Sequence, residues 1–583
     1  MPIIENLNNW IEHAGAVISD LLELGAPFLG IYTLLFRWAG PVLVCLILYR
    51  SARSLLVYKS ETEIWAYLSL PNGARVPVSH WENAIGRSSR CDIVLNYPTV
   101  SRNHAVLVRS DDGSWSIVDI GSKGGVSVNS EPVSGRLKVN PGDIISLSGV
   151  ETVLLQTDDI TEDNEDVPKE DDVKRIKPGC TLLLLTVFQI LTAAELCITA
   201  ESGNIVYILL SFLGLTTFMW LEFLIMKTLG RTGFEVETLA FFLSTLGFSV
   251  IASAAPSELF KQFIALVLGL CLFIFLGWYL RDLERAKKAR WYMGGAAILL
   301  LAANLALGKT VNGAQNWISL GPFSFQPSEL VKIAFIYAGA STLDRLLEKR
   351  NLILFIIFSG VCIGTLALLG DFGTALVFFV AFVVIAFLRS GDISTISLIC
   401  AGTAFAGVLA VHFKPYIGRR FSAWRHVWEY ASTTGYQQTR TLMYAASGGL
   451  LGLGAGNGLL KYITAADTDL VFGMLCEEWG LIIAACAVLS FVCLAVFAVR
   501  AAPAGRSSFY VIAACAAVSM LMFQAALNMF GSVDFLPLTG VTFPFVSNGG
   551  SSMMSSWGLL AFVKAADTRR NASFAIRKTE DAE

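Results

Sequence analysis

Two aspartates, Asp467 and Asp469, end a polar stretch that begins near Pro415 and lies between two long hydrophobic runs. A carboxylate at the edge of a bilayer is unfavourable unless it is paired, hydrated or used, so Asp469 is a candidate functional group. The same stretch carries cations, amides and glycines that suit an anionic, sugar-bearing ligand: Arg419, Arg420, Trp424, Arg425, His426, Gln437, Gln438 and the run from Ser447 to Gly452.

The composition indicates a polytopic membrane protein. Of the 583 residues 54% are hydrophobic and 15% charged, and the mean hydropathy is +0.61, far from the usual soluble balance. The net charge of -3 argues against nucleic acid as a partner, because a phosphate backbone requires a basic face. The 11 cysteines lie mostly in apolar runs without metal-ligand spacing, as small core residues do. The N-terminus lacks the features of a removable signal peptide.

Apolar runs of the length needed to cross a hydrocarbon core number about thirteen. One span lies near 30–49, after an amphipathic N-terminal segment, and the two share a unit at 1–55. Two additional spans lie within 178–230, near 180–200 and 204–227. The core at 231–566 holds the other ten, near 234–254, 259–280, 291–307, 328–346, 351–369, 372–389, 394–413, 470–499, 508–530 and 550–565.

Basic residues flanking the short loops predict the orientation, because Lys and Arg accumulate on the cytoplasmic side. The anchors fall on one side of the membrane: Arg281, Arg285, Lys287, Lys288, Arg290, Arg345, Lys349, Arg350, Arg389, Arg500, Arg506 and the tail at 567–583. Counting spans from them places the loop with Asp469 outside the cell. The fold class is therefore a polytopic α-helical protein of the cytoplasmic membrane.

A segment of different character, 61–156, separates the first span from the others. Its short alternating runs, divided by Gly, Asn, Asp and Pro, predict a soluble all-β module. Basic residues on both sides place the module in the cytoplasm. The stretch at 157–177 is acidic and nearly free of apolar residues, so we expect a solvated linker.

The module carries three blocks in order: Gly86-Arg87, Ser101-Arg102-Asn103-His104, and Asp119 to Gly125 followed by Asn129. Their order and spacing resemble a forkhead-associated (FHA) domain, a β-sandwich that binds phosphothreonine. An arginine and a serine hydroxyl grip a phosphate through charge-assisted hydrogen bonds. The resemblance implies that Arg87 and Ser101 hold the phosphate, that Arg102 and Lys123 flank it, and that His104 braces the loop. Gly124 replaces the usual asparagine that clamps the peptide backbone. The alternative is a sandwich that serves only as a scaffold.

The core carries eight ordered blocks that resemble the SEDS family (shape, elongation, division and sporulation), which includes RodA- and FtsW-type proteins. They are Asn312-Gly313-Ala314 with Trp317-Ile318; Phe325 to Lys332; Asp371 to Ala375; Gly435-Tyr436-Gln437; Ser447-Gly448-Gly449; Thr468-Asp469; Glu477 to Gly480; and Pro537 to Ser552.

This resemblance implies a peptidoglycan glycosyltransferase that polymerises lipid II at the outer face of the membrane, with Asp469 as the catalytic residue. As general base, Asp469 takes the proton of an acceptor 4-hydroxyl that attacks the donor's anomeric carbon, and Arg420 faces the leaving pyrophosphate. A divalent metal, Mg²⁺ or Mn²⁺, is an expectation that no motif reveals. The implied partners are a class B penicillin-binding protein acting as transpeptidase, membrane lipids, and a phosphothreonine protein whose binding regulates or localises the enzyme.

Further residues are candidates for substrate binding. Glu329 and Lys332 share a helix face and form either a structural ion pair or part of the site. Asp371 is expected to cap a helix. The block before the last span begins a helix whose N-terminus suits an anion. The remaining candidates are Gln437, Gln438, Ser447, Gly449, Thr468, Ser547, Gly549 and Gly550.

Four departures from the family pattern stand in or near these blocks. Asp467 replaces a histidine, Asn548 a tyrosine, Asn316 an arginine and Lys461 an acidic residue. Two carboxylates as close as Asp467 and Asp469 raise each other's pKa, which aids a base, helps to bind a divalent ion or marks weakened activity. Two other functions stay open: a lipid II flippase, which requires polar groups on both membrane faces, and a non-catalytic scaffold for the transpeptidase.

Overall fold

The computed structural model describes residues 12, 14–20, 26–57, 64–89, 91–110, 113–156, 177–311, 314–320, 323–341, 349–390, 393–413, 415–505, 507–569 and 572–573. Most of the predicted linker at 157–177 and of the tail at 567–583 lies outside these ranges. So do Asn312 and Gly313, the first residues of one family block.

A long apolar helix, α1 (Ala26–Val57), precedes a β-sandwich. The strands are β1 (Ala66–Ser69), β2 (Arg75–Val78), β3 (Glu82–Gly86), β4 (Ile93–Val94), β5 (Ala105–Arg109), β6 (Trp115–Asp119), β7 (Val126–Val128), β8 (Glu131–Pro132), β9 (Arg136–Val139), β10 (Ile144–Leu147) and β11 (Val150–Gln156). One sheet has the order β2-β1-β11-β10-β7-β8 and the other β4-β3-β5-β6-β9. Alternate side chains fill one apolar core between them, which confirms the all-β prediction.

The rest of the chain is mainly helical. The helices are α2 (Pro178–Thr199), α3 (Ser202–Thr228), α4 (Glu235–Ala254), α5 (Leu259–Leu280), α6 (Leu283–Lys288), α7 (Arg290–Leu307), α8 (Pro327–Ser341), α9 (Lys349–Leu368), α10 (Phe372–Ser390), α11 (Ile393–Phe413), α12 (Pro415–Ala423), α13 (Tyr436–Gly448), α14 (Ala466–Asp469), α15 (Val471–Glu478), α16 (Gly480–Ala501), α17 (Ser508–Ser532) and α18 (Gly550–Ala565). Eight described helices have the length and apolarity to cross a membrane, and shorter apolar helices lie at 353–368 and 372–388. Every predicted span coincides with a helix.

One predicted span, 470–499, is wrong as a single helix, because it is broken between α15 and α16. Gly480 adopts φ +82°, and a Cβ at this position would lie 2.3 Å from the Leu450 carbonyl oxygen. Only glycine combines this conformation with so close a backbone approach. The break lets Glu477 and Glu478, at the end of α15, turn toward the neighbouring loop.

The stretch from 415 to 469 is more ordered than its polarity suggested. It contains α12, α13 and the single turn α14, so the predicted glycine-rich turn at Ser447 is in fact the end of α13. A three-stranded sheet follows α7, which the sequence did not predict: β12 (Lys309–Val311), β13 (Ala314–Leu320) and β14 (Phe323–Phe325).

Helix α18 lies at the centre of the bundle, against α5, α8 and α17. Its Trp557 is fully buried and contacts the rings of Phe241, Phe273 and Phe545. Helix α4 is buried along nearly all its length, because α1, α2 and α3 pack against it. The additional spans are therefore part of the same apolar core as the family helices.

The sandwich is docked on one end of this bundle, before the start of α17. Trp81 of the β2–β3 turn is buried in the helical core and makes an edge contact with Tyr510, the ring centroids being 6.4 Å apart. Two hydrogen bonds accompany it: Ser508 Oγ donates to Glu82 Oε2 over 3.2 Å, and His80 Nδ1 lies 2.7 Å from the Gly505 oxygen. Asn528, near the other end of α17, is about 30 Å from Ser508 along the helix and contacts Asp469.

Candidate functional site

Asp469 ends α14, a turn held from outside by two other elements. Ala465, which precedes the turn, has φ +60°, a conformation that persists only where the surroundings impose it. The carbonyls of three successive residues would be orphans in so short a helix, yet each accepts a hydrogen bond: Asp467 from the Asn548 amide at 2.8 Å, Thr468 from Ser547 Oγ at 2.6 Å, and Asp469 from Asn528 Nδ2 at 3.1 Å.

Burial raises the pKa of the half-buried Asp469 carboxyl to about 6. The Thr468 hydroxyl and the Arg420 guanidinium lower this pKa, and the Asp467 carboxylate raises it. A group with a pKa near the working pH combines a large ionised fraction with appreciable basicity. Gly540 leaves the space beside the Asp469 carboxylate open, since a Cβ at position 540 would lie 3.4 Å from Asp469 Oδ2.

Arg420 is supplied by α12, an amphipathic helix at the same end of the bundle. Its guanidinium donates to the Leu538 carbonyl over 3.0 Å and is half-exposed. Arg420 thus binds the segment that leads to Gly540. It also lies close enough to Asp469 to lower the pKa of that carboxyl. The side chain of Arg419 lies outside the described residues.

The other candidates of this stretch bind mainly within the protein. Gln437 Nε2 donates to the Thr464 carbonyl over 2.8 Å, and the buried Gln438 contacts the Gly531 carbonyl of α17 at 3.5 Å. The exposed Ser447 hydroxyl donates to the carbonyl of Tyr444 in its own helix, the Thr468 hydroxyl donates to Ala465, and Gly449 turns the chain with φ +57°. Substrate contacts of these residues stay predictions.

The start of α18 contributes Ser547, Gly549 and Gly550. Ser547 donates to Thr468 and accepts the amide of Phe543 over 2.8 Å, so its hydroxyl is fully used. The Gly549 amide donates to Gln262 Oε1 over 3.3 Å. These residues fix the orientation of the helix start beside the Asp469 turn. Whether they also hold an anion stays a prediction.

Glu329 and Lys332 form a buried ion pair of 2.7 Å between Oε1 and Nζ. Lys332 also donates to Gln524 Oε1 over 3.0 Å, and Ser555 donates to Glu329 Oε2 over 2.5 Å. Both charges are satisfied inside the protein, as a charged group at membrane depth requires. The pair links α8 to α17 and α18, and its contact with substrate stays a prediction. Asp371 caps α10, because its Oδ1 accepts the Thr374 amide over 3.1 Å.

Glu477 and Glu478 are functional candidates that sequence reasoning left without a role. Glu477 accepts the amides of Leu459 and Leu460 over 2.7 and 2.9 Å, and Glu478 accepts the Gly456 amide over 3.1 Å. They fasten the loop at 449–460, which leads to the Asp469 turn. The additional spans support the same loop from the other side: Thr199 Oγ1 of α2 donates to the Ala455 carbonyl over 3.0 Å.

Asn528 was also missed by sequence reasoning. It holds the Asp469 carbonyl and donates to Val541 over 2.9 Å, while Gln524, one turn earlier, contacts Lys332. The signal was available, because two amides four residues apart share a helix face in an otherwise apolar run. Such polar residues at membrane depth mark functional regions.

The predicted phosphate-binding residues lie on three loops at one end of the sandwich. Arg87 follows β3, Ser101 and Arg102 precede β5, and Lys123 precedes β7; the three cationic side chains are exposed. Ser101 Oγ accepts the Lys123 amide over 3.0 Å. The fully buried His104 ring accepts the Ser101 amide over 3.1 Å and lies 3.0 Å from the Gly125 carbonyl, which braces two of the loops.

A resident divalent metal requires several donor side chains that converge on one point. Within the ranges that the structure describes, no group of three or more His, Cys, Asp and Glu side chains converges. Of the two aspartates in the turn, Asp467 accepts Asn548 Nδ2 over 2.7 Å. The described residues therefore show no site built from three or more such side chains, and the need for Mg²⁺ or Mn²⁺ stays a prediction.

Both parts of the chain, the helical bundle and the sandwich, match known protein families. Residues 239–572 match the family of cell cycle proteins FtsW, RodA and SpoVE, and residues 83–148 match the FHA domain. A probable peptidoglycan glycosyltransferase FtsW of Tolumonas auensis is 33% identical over 354 residues, which is 57% of this chain and 91% of that protein. The peptidoglycan glycosyltransferase RodA of Mycobacterium tuberculosis is 28% identical over 326 residues, 52% of this chain and 69% of its own.

Solved structures were also compared. A chain from a peptidoglycan synthase complex that coordinates polymerization and crosslinking aligns with 57% of this chain and 96% of its own, at 28% identity and a TM-score of 0.49. An FHA domain studied for phosphothreonine-dependent interactions aligns with 16% of this chain and 96% of its own, at 26% identity and a TM-score of 0.15.

Proposed function

Because the chain belongs to the FtsW, RodA and SpoVE family and is a peptidoglycan glycosyltransferase, we propose that it polymerises lipid II with Asp469 as general base. The observation that carries the proposal is the Asp469 carboxyl, half-buried beside Arg420 with a pKa of about 6. A base of this pKa is mostly ionised at neutral pH.

In the proposed reaction, the acceptor 4-hydroxyl attacks the anomeric carbon of the donor. Asp469 takes the hydroxyl proton while the new glycosidic bond forms, and the bond to undecaprenyl pyrophosphate breaks with its electron pair on the departing phosphate oxygen. Arg420, which lies close enough to Asp469 to lower its pKa, is the cation that we propose offsets that charge. The hydrogen bonds on all three carbonyls of the turn hold the base in position before substrate arrives, which favours the transition state.

The two ends of α17 support the proposed orientation. The sandwich contacts Ser508 at the start, and Asn528 holds Asp469 about 30 Å away, roughly the thickness of a hydrocarbon core. With the sandwich in the cytoplasm, Asp469 therefore faces the outside, where peptidoglycan is built. A protease added to intact spheroplasts is expected to leave the sandwich uncut and to cut it after permeabilisation; cleavage in intact spheroplasts contradicts this orientation.

The deciding experiment is lipid II polymerisation by the purified full-length protein, alone and with a class B penicillin-binding protein, the proposed transpeptidase partner. Asp469→Asn is expected to abolish glycan strands. Asp534→Asn is the matched control, because Asp534 is a carboxylate at the same end of the bundle and accepts the Arg425 amide over 3.2 Å. Absence of strands from the unmodified protein, with partner, Mg²⁺ and Mn²⁺ supplied, would favour the scaffold or transport function.

We also propose that the FHA domain binds a phosphothreonine protein and thereby regulates or localises the enzyme. Three exposed cations on adjoining loops, with Ser101 braced by His104, support binding of a dianion. Arg87→Ala is expected to abolish binding of a phosphothreonine peptide to the full-length protein, measured by calorimetry. Arg75→Ala is the control, because Arg75 is an exposed arginine on β2, outside the three loops. Equal binding of the unphosphorylated peptide would refute the proposal.

A further inference from the structure

Asp467 and Asn548 form a paired contact beside the proposed base. Asn548 Nδ2 donates to Asp467 Oδ2 over 2.7 Å, and the Asn548 amide donates to the Asp467 carbonyl over 2.8 Å. One partner lies two residues before Asp469, and the other lies two residues before the start of α18. The pair therefore joins the short catalytic turn to α18, the helix at the centre of the bundle.

The hydrogen bond between the Asn548 and Asp467 side chains is short for an amide donor and a carboxylate acceptor. Asp467 is half-buried, and an ionised acceptor at 2.7 Å makes a charge-assisted bond that is roughly twice as strong as a neutral one. The turn needs such support, because α14 has a single turn and follows Ala465 at φ +60°. Loss of the bond frees the α14 turn to relax toward a less strained conformation.

The two residues are also matched departures. Asp467 and Asn548 stand where the pattern described above has a histidine and a tyrosine, and the structure brings these two departures into direct contact. A carboxylate introduced at position 548 would face the Asp467 carboxylate, and a compensating change at 467 would restore the match, so we expect the two residues to act as a unit. Asp467 is then a positioning residue and not a degenerate remnant of the catalytic motif.

We propose that the Asp467–Asn548 pair is a positioning device that fixes the direction of the Asp469 carboxylate by holding α14 against α18. The inference rests on the proposed function of Asp469 and adds two residues to it. Positioning of this kind acts on kcat, because a displacement of about 1 Å at the reacting group lowers the rate about 100-fold. Substrate affinity depends on other contacts and is expected to change little.

Exchanging the carboxylate and the amide between positions 467 and 548 distinguishes a positioning role of the pair from a contribution to packing alone. Asn548→Asp places two carboxylates in contact, and we expect kcat to fall about 100-fold with KM within about twofold of the unmodified protein. The exchanged double variant D467N/N548D restores an amide opposite a carboxylate, and we expect it to recover at least about one tenth of the original kcat. Asn204→Asp is the control, because it adds the same charge at the start of α3, at the same end of the bundle, and should leave kcat unchanged.

A second readout works without catalysis. Carbodiimides modify protonated carboxyl groups, so the pH midpoint of Asp469 modification, read by mass spectrometry of its peptide, reports its environment even if no strands are formed. We expect the midpoint to rise in Asn548→Asp and to move back toward the original value in the exchanged variant. If Asn548→Asp does not fold, Asp467→Ala and Asn548→Ala replace it, and their losses of kcat should not add in the double variant.

The outcomes distinguish this inference from the proposed function. An exchanged variant as impaired as Asn548→Asp, or an Asn548→Asp protein with unchanged kcat and midpoint, overturns the positioning device. Strand formation that survives Asp469→Asn overturns the general-base proposal instead. With no strands from the unmodified protein, the uncharged Asn548→Ala variant decides: a shifted midpoint of Asp469 modification supports the device, and an unchanged midpoint overturns it.

Discussion

Asp469 lies between two charged side chains that act on its pKa in opposite directions. Burial provides the largest increase, the Arg420 guanidinium opposes it, and Asp467 adds to it. The balance keeps the pKa near 6, whereas an exposed aspartate has a pKa of about 3.9. The proposed base is therefore stronger than an exposed carboxylate and still mostly ionised at neutral pH.

The first prediction concerns the pH dependence of polymerisation. A base must be ionised, so kcat/KM should rise with pH and reach half its maximum near pH 6. Arg420→Gln removes a cation that favours the carboxylate, so the midpoint should move to higher pH. Asp467→Asn removes a neighbouring negative charge, and the midpoint should move to lower pH while the hydrogen bond to Asn548 is retained. Kinetic pH profiles test both shifts.

Arg440→Gln is the control for the loss of positive charge. Arg440 lies on α13 with its guanidinium over the ring of Tyr436, 5.4 Å from the centroid, and no effect of Arg440 on Asp469 is resolved. Its profile should match that of the unmodified protein. Equal shifts in all three variants would indicate a general effect of net charge and contradict the assignment of Arg420 and Asp467.

At the scale of the elements, the break between α15 and α16 has a specific use. The two glutamates at the end of α15 accept the amides of the neighbouring loop, and Gly480 makes the reversal possible. An uninterrupted helix would direct these carboxylates along the helix surface and leave the loop amides of 456, 459 and 460 without acceptors. The loop that leads to the proposed catalytic turn is thus held by a helix end.

Glu477→Gln tests this clamp. The amide keeps one acceptor oxygen but loses the charge, so two charge-assisted hydrogen bonds become one neutral bond. We expect the free energy of unfolding of the loop to fall by about 2 kcal/mol, detected as faster proteolysis between 449 and 465. Glu201→Gln is the control, since Glu201 is exposed before α3. Unchanged proteolysis of Glu477→Gln would contradict the clamp.

The FHA loops contain a second element-scale constraint. A Cβ at Gly124 would lie 1.5 Å from Ser148 Oγ, so the asparagine of the family pattern cannot occupy this backbone. Gly124→Asn should destabilise the sandwich by about 2 kcal/mol. Ser148→Gly should rescue it, because Ser148 has φ +54°, which glycine adopts freely. Thermal unfolding measures both effects.

Gly73→Asn is the matched control for Gly124→Asn. Gly73 has φ +80° with nothing near its Cβ position, and asparagine tolerates this conformation. Its unfolding temperature should stay close to that of the unmodified protein. A Gly124→Asn protein as stable as the control would show that the loop rearranges to admit the side chain.

How far the sequence predicted these features depends on the range of the interactions. Apolar runs predicted where the long helices lie, apart from the break within 470–499, because a length of about 20 residues is a local property. The resemblance to an FHA domain implied that Arg87, Ser101 and Lys123 share one site, and the structure places them on three loops at one end of the sandwich. The break at Gly480, the sheet formed by β12 to β14 and the contact of Asn528 with Asp469 were missed, because each depends on a partner distant in the chain. Helix α13 was missed because its polar residues were interpreted as a loop.

At the scale of the whole molecule, the sandwich and the bundle share a core. Trp81 of the sandwich is buried among the helices, and Trp65 packs against both apolar clusters. Helix α17 runs from this contact to Asn528 at Asp469. The FHA domain is therefore connected to the bundle by more than the linking chain. It packs against α17, the helix that reaches the proposed catalytic turn.

Trp81→Ala tests the contact. Removing a buried tryptophan costs about 3 kcal/mol, and here the loss falls between the two units. We expect the sandwich and the bundle to unfold in two separate transitions instead of one, followed by proteolysis of the strands and by helical circular dichroism. Trp291→Ala is the control, because Trp291 is 64% exposed on α7. A single transition in the Trp81→Ala protein would contradict a shared core.

The additional helices α1 to α3 have a consequence for traffic in the membrane. They pack against α4 and α16 and contact the loop at 449–460. They therefore separate this flank of the bundle from the surrounding lipid. A substrate with a polyprenyl tail diffuses laterally within its leaflet, and its tail stays in the hydrocarbon core while its headgroup reacts. The tail of lipid II, the proposed substrate, would therefore approach along a flank that α1 to α3 leave uncovered, such as that of α7, which exposes Trp291, Tyr292, Leu299 and Leu307.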